Sequence, residues 1–311
     1  MIDVIIPAYN AHNTIEKTLY SISIQTMVDK LRVYIVNDAG KDYHELIKFF
    51  SNFMNIKEIK LKKNGGPGVA REEGIKKSKS KYIIFIDSDD VFADPASIED
   101  LYNAITEYKS DLVIGIFNEQ TPKGGYIVHR DDKTWLHGKL YRRSFIEKNK
   151  IHFNKSRANE DNAFNRSLIL RDPKITYINR NVYYWLYNEN SITRRNEHEY
   201  SYQGLFGYVD NMVWVLEDAI KNKIDKDKIA SLALSVFYAM YYYYLNYENI
   251  ELAKYCKRLL EIVEEYPVEN EAKRLQLISE QLETSMQQLD SRKINNPVIS
   301  DLEFKALVKE S

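Results

Sequence analysis

Four short runs in the first half of the chain are apolar on both faces: Val4-Ile5-Ile6, Val33-Tyr34-Ile35-Val36, Tyr82-Ile83-Ile84-Phe85-Ile86 and Leu112-Val113-Ile114. A strand without a polar face is buried on both sides, as in a sheet covered by helices. Between these runs the hydrophobic period becomes helical. Ile15, Leu19 and Ile22 share a face, and Asn13 and Glu16 have the spacing of a capping box at its start. Leu46, Phe49, Phe50 and Phe53 follow the i, i+3, i+4, i+7 pattern of a second helix. Asp94-Pro95 opens a third, with Asp94 as N-cap, carrying Ile98, Leu101, Tyr102 and Ile105. Strands alternating with helices predict right-handed βαβ units, hence an α/β domain with a mainly parallel sheet flanked by helices.

The pattern loosens between about Gln120 and Asn190 and turns helical from about Tyr202. Ile229, Leu232, Ala233, Val236, Phe237 and Met240 line one face. Leu252, Tyr255, Cys256, Leu259, Leu260 and Val263 repeat the spacing, and Leu275, Ile278, Leu282 and Leu289 make a narrower stripe beyond Pro267. Residues 1–200 are therefore expected to form the α/β domain and residues 201–311 an all-helical C-terminal domain for acceptor binding or oligomerisation. Two helices share a spacing, but no repeat defines a solenoid.

Composition narrows the class. A chain of 311 residues suits two domains, and 44% hydrophobic residues supply a core. A net charge of −1 gives no general attraction to nucleic acid or anionic membranes. The single cysteine, Cys256, excludes an internal disulfide. The N-terminal MIDVIIPAYN has no basic n-region, and no stretch offers about 20 apolar residues, so no membrane span is expected. The expected location is cytoplasmic, with peripheral placement at the inner membrane face as the variant. Tyrosines number 24. Tyr238, Tyr241, Tyr242, Tyr243, Tyr244 and Tyr247 surround one helix, where core packing, an acceptor platform or a dimer face would each use them.

Asp87-Ser88-Asp89-Asp90 directly follows the strand Tyr82–Ile86. Ligands of open parallel sheets bind at the carboxyl ends of strands. Three carboxylates in four residues repel one another unless a cation is present, and hard oxygens suit Mg²⁺ or Mn²⁺, which in turn holds a diphosphate. A solvated acidic turn would have the same sequence. The neighbouring strand tips, Ile6-Pro7-Ala8-Tyr9-Asn10 and Asn37-Asp38-Ala39-Gly40, belong on the same edge. Asn64-Gly65-Gly66-Pro67-Gly68-Val69-Ala70-Arg71 adds glycines that let backbone approach a ligand and an arginine suited to phosphate or carbonyl oxygens. Neither a P-loop nor a GxGxxG fingerprint is present.

In this order, with HGKLYRRSF at 137–145 and NED at 159–161, the chain resembles the family-2 glycosyltransferases of GT-A fold over about residues 2–195. The resemblance implies an inverting, nucleotide-sugar-dependent enzyme. It implies that Pro7, Ala8 and Tyr9 line a uridine pocket, that Asp38 hydrogen-bonds uracil or ribose, and that Arg71 contacts uracil or diphosphate. Asp87, with Ser88 beside it, would touch the ribose, and Asp89 would coordinate the metal. His198 resembles a late histidine that completes metal coordination in some relatives. Asp161 would be the base that takes the acceptor proton, with Glu160 orienting the acceptor or the helix start. Two positions depart from the pattern: Asn37 stands where many relatives have an acid, and Glu72 where Asn is frequent after Arg71.

Trp135 and His137 offer stacking and a hydrogen bond for an acceptor sugar. Lys139 to Arg157 carries seven basic residues against Glu147, which suits either a basic wall for pyrophosphate or an anionic acceptor, or a solvated face. The expected function is metal-dependent transfer from a UDP-sugar, with Mn²⁺ or Mg²⁺, to a hydroxyl of a glycan, a cell-wall polymer or another acceptor. The chain would act alone or as a homo-oligomer through its helical domain. The alternative is a catalytically idle module that binds nucleotide-sugar or glycan. A nucleotidyltransferase would show a Gly-rich phosphate loop near the N-terminus, which is missing.

Overall fold

The computed structural model describes residues 1–189, 197–247, 250–288 and 301–310. The chain divides into two compact units, Met1–Arg195 and Asn196–Ser311. In the first, β1 (Ile2–Ala8), β2 (Leu31–Asn37), β3 (Ile56–Lys60) and β4 (Tyr82–Phe85) pair in parallel in the order β3-β2-β1-β4. The helices α1 (Ile15–Ser23), α2 (His44–Phe50) and α3 (Pro67–Lys77) connect them. Beyond β4 the sheet becomes mixed. After β5 (Val91–Phe92) and α4 (Ser97–Glu107) come β6 (Leu112–Gln120) and β7 (Tyr126–His129). Then follow β8 (Lys139–Arg142), α5 (Arg143–Lys148), α6 (Glu160–Ile169) and β9 (Ile175–Trp185). β8 runs antiparallel between β4 and β6, and β9 lies parallel to β6. The α/β class with helices flanking the sheet is the one the hydrophobic pattern predicts.

β1 is buried at all seven positions inside the sheet, which is why its sequence is apolar apart from Asp3. One core lies on the side of α1 and α4, built on Ile15, Leu19, Ile98 and Leu101. The other contains Ala70 of α3 and Phe164 and Leu168 of α6.

Three local expectations change. α1 begins after Thr14 with no side-chain cap; the Thr14 hydroxyl donates to the Ala11 carbonyl, so Asn13 and Glu16 form no capping box. α4 begins at Ser97, and Asp94 instead accepts the Ala96 N–H in a turn two residues upstream. Of the α2 stripe only Phe50 is buried, while Phe49 and Phe53 are more than half exposed. The periodicity of a short helix identifies a face but not what covers it.

The second unit contains helices Glu197–Lys221, Lys226–Tyr247, Ile250–Tyr255, Lys257–Glu265, Glu271–Gln288 and Asp301–Glu310. Ile229, Ala233, Phe237 and Met240 are buried as the stripe predicts. Tyr238, Tyr241 and Tyr242 are also buried, and Phe304 packs against the rings of Phe237, Tyr241 and Tyr244. Core packing thus accounts for these tyrosines. Leu275 is exposed; Leu289 and the side chain of Tyr247 lie outside the described residues. Among the described residues no helix is long and apolar enough to cross a membrane.

Candidate active site

The parallel strands β1, β2 and β4 end on one edge, as the crevice rule for open sheets requires. From β1 comes buried Ala8, followed by Tyr9, which is 55% exposed. From β2 comes Asp38, which is buried with both carboxylate oxygens engaged: Oδ1 accepts the Gly65 N–H and Oδ2 the Gly66 N–H, each at 2.8 Å. Its observed task is to hold the glycine loop. Asn37 closes the same turn, donating to the Lys41 carbonyl and Glu58 and accepting the Gly40 N–H. An aspartate could not make those donations, which gives the departure at position 37 a physical reason.

The glycine loop needs its glycines. Gly66, ahead of α3, has φ +90°, a conformation that strains any side chain. A Cβ on Gly68 would lie 2.9 Å from both the Asn154 carbonyl oxygen and Glu160 Cγ. The segment leading to α6 therefore crosses directly over the first turn of α3.

One turn on, Arg71 is buried rather than at the surface. Its guanidinium donates to Asp87 Oδ1 at 2.5 Å and to Glu160 Oε1 at 2.6 Å. One arginine thus joins the acids after β4 to the Glu-Asp pair of α6. Burial alone would lower the Arg71 pKa, but Asp87 and Glu160 more than offset it and hold the cation. Burial pushes the Asp87 carboxyl up, and Arg71 and His137 outweigh that, so it lies below the usual range.

The acids after β4 divide their work. Asp90 is fully buried, accepts the Tyr183 hydroxyl at 2.6 Å and the Leu186 N–H at 2.9 Å, and so ties the turn to β9. The Tyr183 hydroxyl also accepts the Asp87 N–H. Half-buried Asp89 accepts from Asn188 at 2.8 Å, and Ser88 is half-buried beside it. Burial, then the neighbouring carboxylates, push Asp89 up and Asp90 well above the usual range. Buried His137 brings Nε2 to 3.7 Å from Asp87 and 3.9 Å from Asp90. Among the described residues Asp87, Asp90 and His137 form the group able to hold a metal ion. A divalent cation would relieve the carboxylate repulsion that adds to burial in raising Asp89 and Asp90, so the donor set fits one. The side chain of His198 lies outside the described residues.

Asn159, in the left-handed region, precedes α6 and puts Glu160 and Asp161 in its first turn. Glu160 is buried against Arg71 and over Gly68. Half-buried Asp161 accepts the Asn162 N–H, and burial and the Glu160 charge, partly offset by Arg71, raise its pKa to about 7.

The remaining sequence candidates are largely internal. Lys139 is fully buried and paired with Asp132 at 3.2 Å, with burial lowering its pKa to about 8. This corrects the expectation of an exposed basic wall beginning there: a lysine in the middle of a covered sheet needs an internal partner. His137 is likewise interior, stacked on Tyr183. Trp135 is half-buried beside Trp185. Sequence reasoning missed Asp90, Tyr183, Asn188 and Asp132 as supports. Asp90 stood in the acidic string, but no local signal links Tyr183 or Asn188 to acids nearly a hundred residues away.

This chain is similar to poly(ribitol-phosphate) beta-N-acetylglucosaminyltransferase TarP of Staphylococcus aureus, 30% identical over 208 residues, or 60% of this chain and 63% of the relative. It is similar to a poly(ribitol-phosphate) beta-glucosyltransferase of Bacillus spizizenii, 27% identical over 75% of this chain and 39% of the relative. It thus spans less than two thirds of the length of both. The solved structure of S. aureus TarS 1-349 in complex with UDP-GlcNAc superposes with a TM-score of 0.62 at 18% identity, covering 94% of this chain and 82% of that one, which shows a shared fold. Residues 3–158, half of the chain, match the model of glycosyl transferase family 2, and the chain belongs to that family.

Proposed function

We propose that this protein transfers a sugar from a UDP-sugar to an acceptor hydroxyl with inversion at the anomeric carbon, using Asp161 as base. The observation that carries the reading is the buried Arg71, which bridges Asp87 and Glu160 and so sets the acids of the strand edge beside the Glu-Asp pair. Tyr9 offers its exposed ring to the uracil, with Pro7 and Ala8 behind it. Asp38 acts through the glycine loop. Arg71 is committed to two carboxylates, so its first service is alignment. Asp89 would hold Mn²⁺ or Mg²⁺ beside the Asp87, Asp90 and His137 group. Such an ion, when bound, neutralises charge on the departing diphosphate.

In the transfer, the acceptor oxygen bonds to the anomeric carbon as the bond to the UDP oxygen breaks. The electron pair leaves with UDP, and Asp161 takes the acceptor proton. A carboxyl with a pKa of about 7 is well matched to this task near neutral pH. Of the three acceptor candidates only Trp135 keeps an exposed part, so it is the one assigned to the acceptor. UDP is supported by the TarS complex, and a polymer acceptor by the names of the curated relatives, which divide between N-acetylglucosamine and glucose as the sugar. The test is a panel of UDP-sugars with Mn²⁺, scoring UDP release and thermal stabilisation with and without polymer acceptors. Donor binding with no transfer to any acceptor or to water would instead make the chain a recognition module.

A further inference from the structure

Glu72 follows Arg71 on α3 and faces the opposite end of the segment that leads to the Glu-Asp pair. Its Oε2 accepts the N–H of buried Phe153 at 3.0 Å, and its Oε1 lies 3.0 Å from His152 Nδ1. The Phe153 ring stacks on Phe164 of α6 at 4.2 Å with 9° between planes, and the Arg71 guanidinium sits 5.9 Å from its centre. From there the loop is braced internally. Asn154 Oδ1 accepts the Ser156 N–H, and the Ser156 hydroxyl donates to the Ala158 carbonyl. The loop ends at Glu160, which Arg71 holds. Neighbouring residues of one helix therefore grip both ends of the strap that delivers Asp161.

We propose that Glu72 is a positioning residue, which sets the place of Glu160 and Asp161 by holding the Phe153 backbone. The inference rests on the function proposed above, and it gives the departure at position 72 a role. A buried N–H deprived of its acceptor is costly, so the strap would shift toward another partner. A misplacement of about 1 Å in a reacting group can lower a rate about 100-fold.

The experiment compares Glu72→Ala, Glu72→Gln and His152→Ala with wild type by transfer kinetics, UDP calorimetry and hydrogen exchange over residues 153–162. Glu72→Ala should lower kcat by about 10- to 100-fold while UDP Kd stays within about twofold. Exchange over the strap should rise in that variant alone. Glu72→Gln keeps an oxygen for the Phe153 N–H and should restore both readouts, and His152→Ala should resemble wild type. Unchanged exchange in Glu72→Ala, no rescue by Gln, or a parallel loss of UDP binding would overturn the proposal. If the wild type turns over no UDP-sugar, the proposed function fails, and the exchange data still decide whether Glu72 holds the strap.

Discussion

Replacing Asp161 by Asn should make the protein slower and, at alkaline pH, more stable. The folded state raises this carboxyl from 3.8 to about 7, chiefly by burial and by the charge of Glu160. The folded chain thus holds the proton more tightly than the unfolded chain does. Ionisation costs no stability below about pH 4, costs progressively more between about pH 4 and 7, and has its full effect above that. A rise from 3.8 to about 7 corresponds to about 4 kcal/mol, a ceiling at a half-buried site where water screens part of the charge. Asn keeps the shape and an oxygen for the Asn162 N–H but gives up about 0.3–1 kcal/mol of helix-dipole attraction. Urea unfolding at about pH 8 should therefore show Asp161→Asn more stable by about 1–3 kcal/mol, with the difference shrinking as pH falls and gone or reversed below about pH 4. Loss of the base should lower kcat about 100- to 10,000-fold with UDP affinity little changed. The wild-type rate should climb about tenfold from about pH 6 to about pH 8 as Asp161 ionises. A variant as active as wild type, or a stability difference independent of pH, would refute both the base and the burial argument.

Other outcomes follow from single contacts. Arg71→Met leaves Asp87 and Glu160 without their shared cation and should cost about 3–5 kcal/mol in urea unfolding; a loss below about 1 kcal/mol would show that the bridge is not formed. Thermal stabilisation by UDP should be larger with Mn²⁺ than with EDTA, and Asp89→Ala should erase the difference; equal stabilisation in both would remove the metal from the donor site. Gly66→Ala forces a side chain into φ +90° beside Arg157 and should cost about 1–3 kcal/mol, read as a lower urea midpoint. Phe304→Ala should destabilise the helical unit by about 3–5 kcal/mol, since its ring is fully buried among Phe237, Tyr241 and Tyr244; an unchanged melting curve would mean that the last helix does not hold that core.

By itself the sequence determined the α/β class, the strand edge that bears the candidate site and the order of the motifs. The reason is local: a strand buried on both faces must be almost wholly apolar, as β1 is apart from the paired Asp3, and a turn at φ +90° demands glycine, as at Gly66. Strands β3, β5, β7, β8 and β9 escaped: β3 lies at an edge, where Ile56-Lys57-Glu58-Ile59-Lys60 buries little and carries a weak signal, whereas β8 is interior but short and carries Lys139 and Arg142. What each acid does was decided only in three dimensions. Asp87, Asp89 and Asp90 are neighbours in one string, yet Arg71, Asn188 and Tyr183, supplied by three other segments, give them different partners and duties. Asp38 and Lys139 look like ligand contacts in the chain and become internal supports once the glycine loop and Asp132 close on them. A side chain's ionisation and partners depend on burial and on charges within a few ångströms, and folding brings those together from positions that linear spacing does not relate.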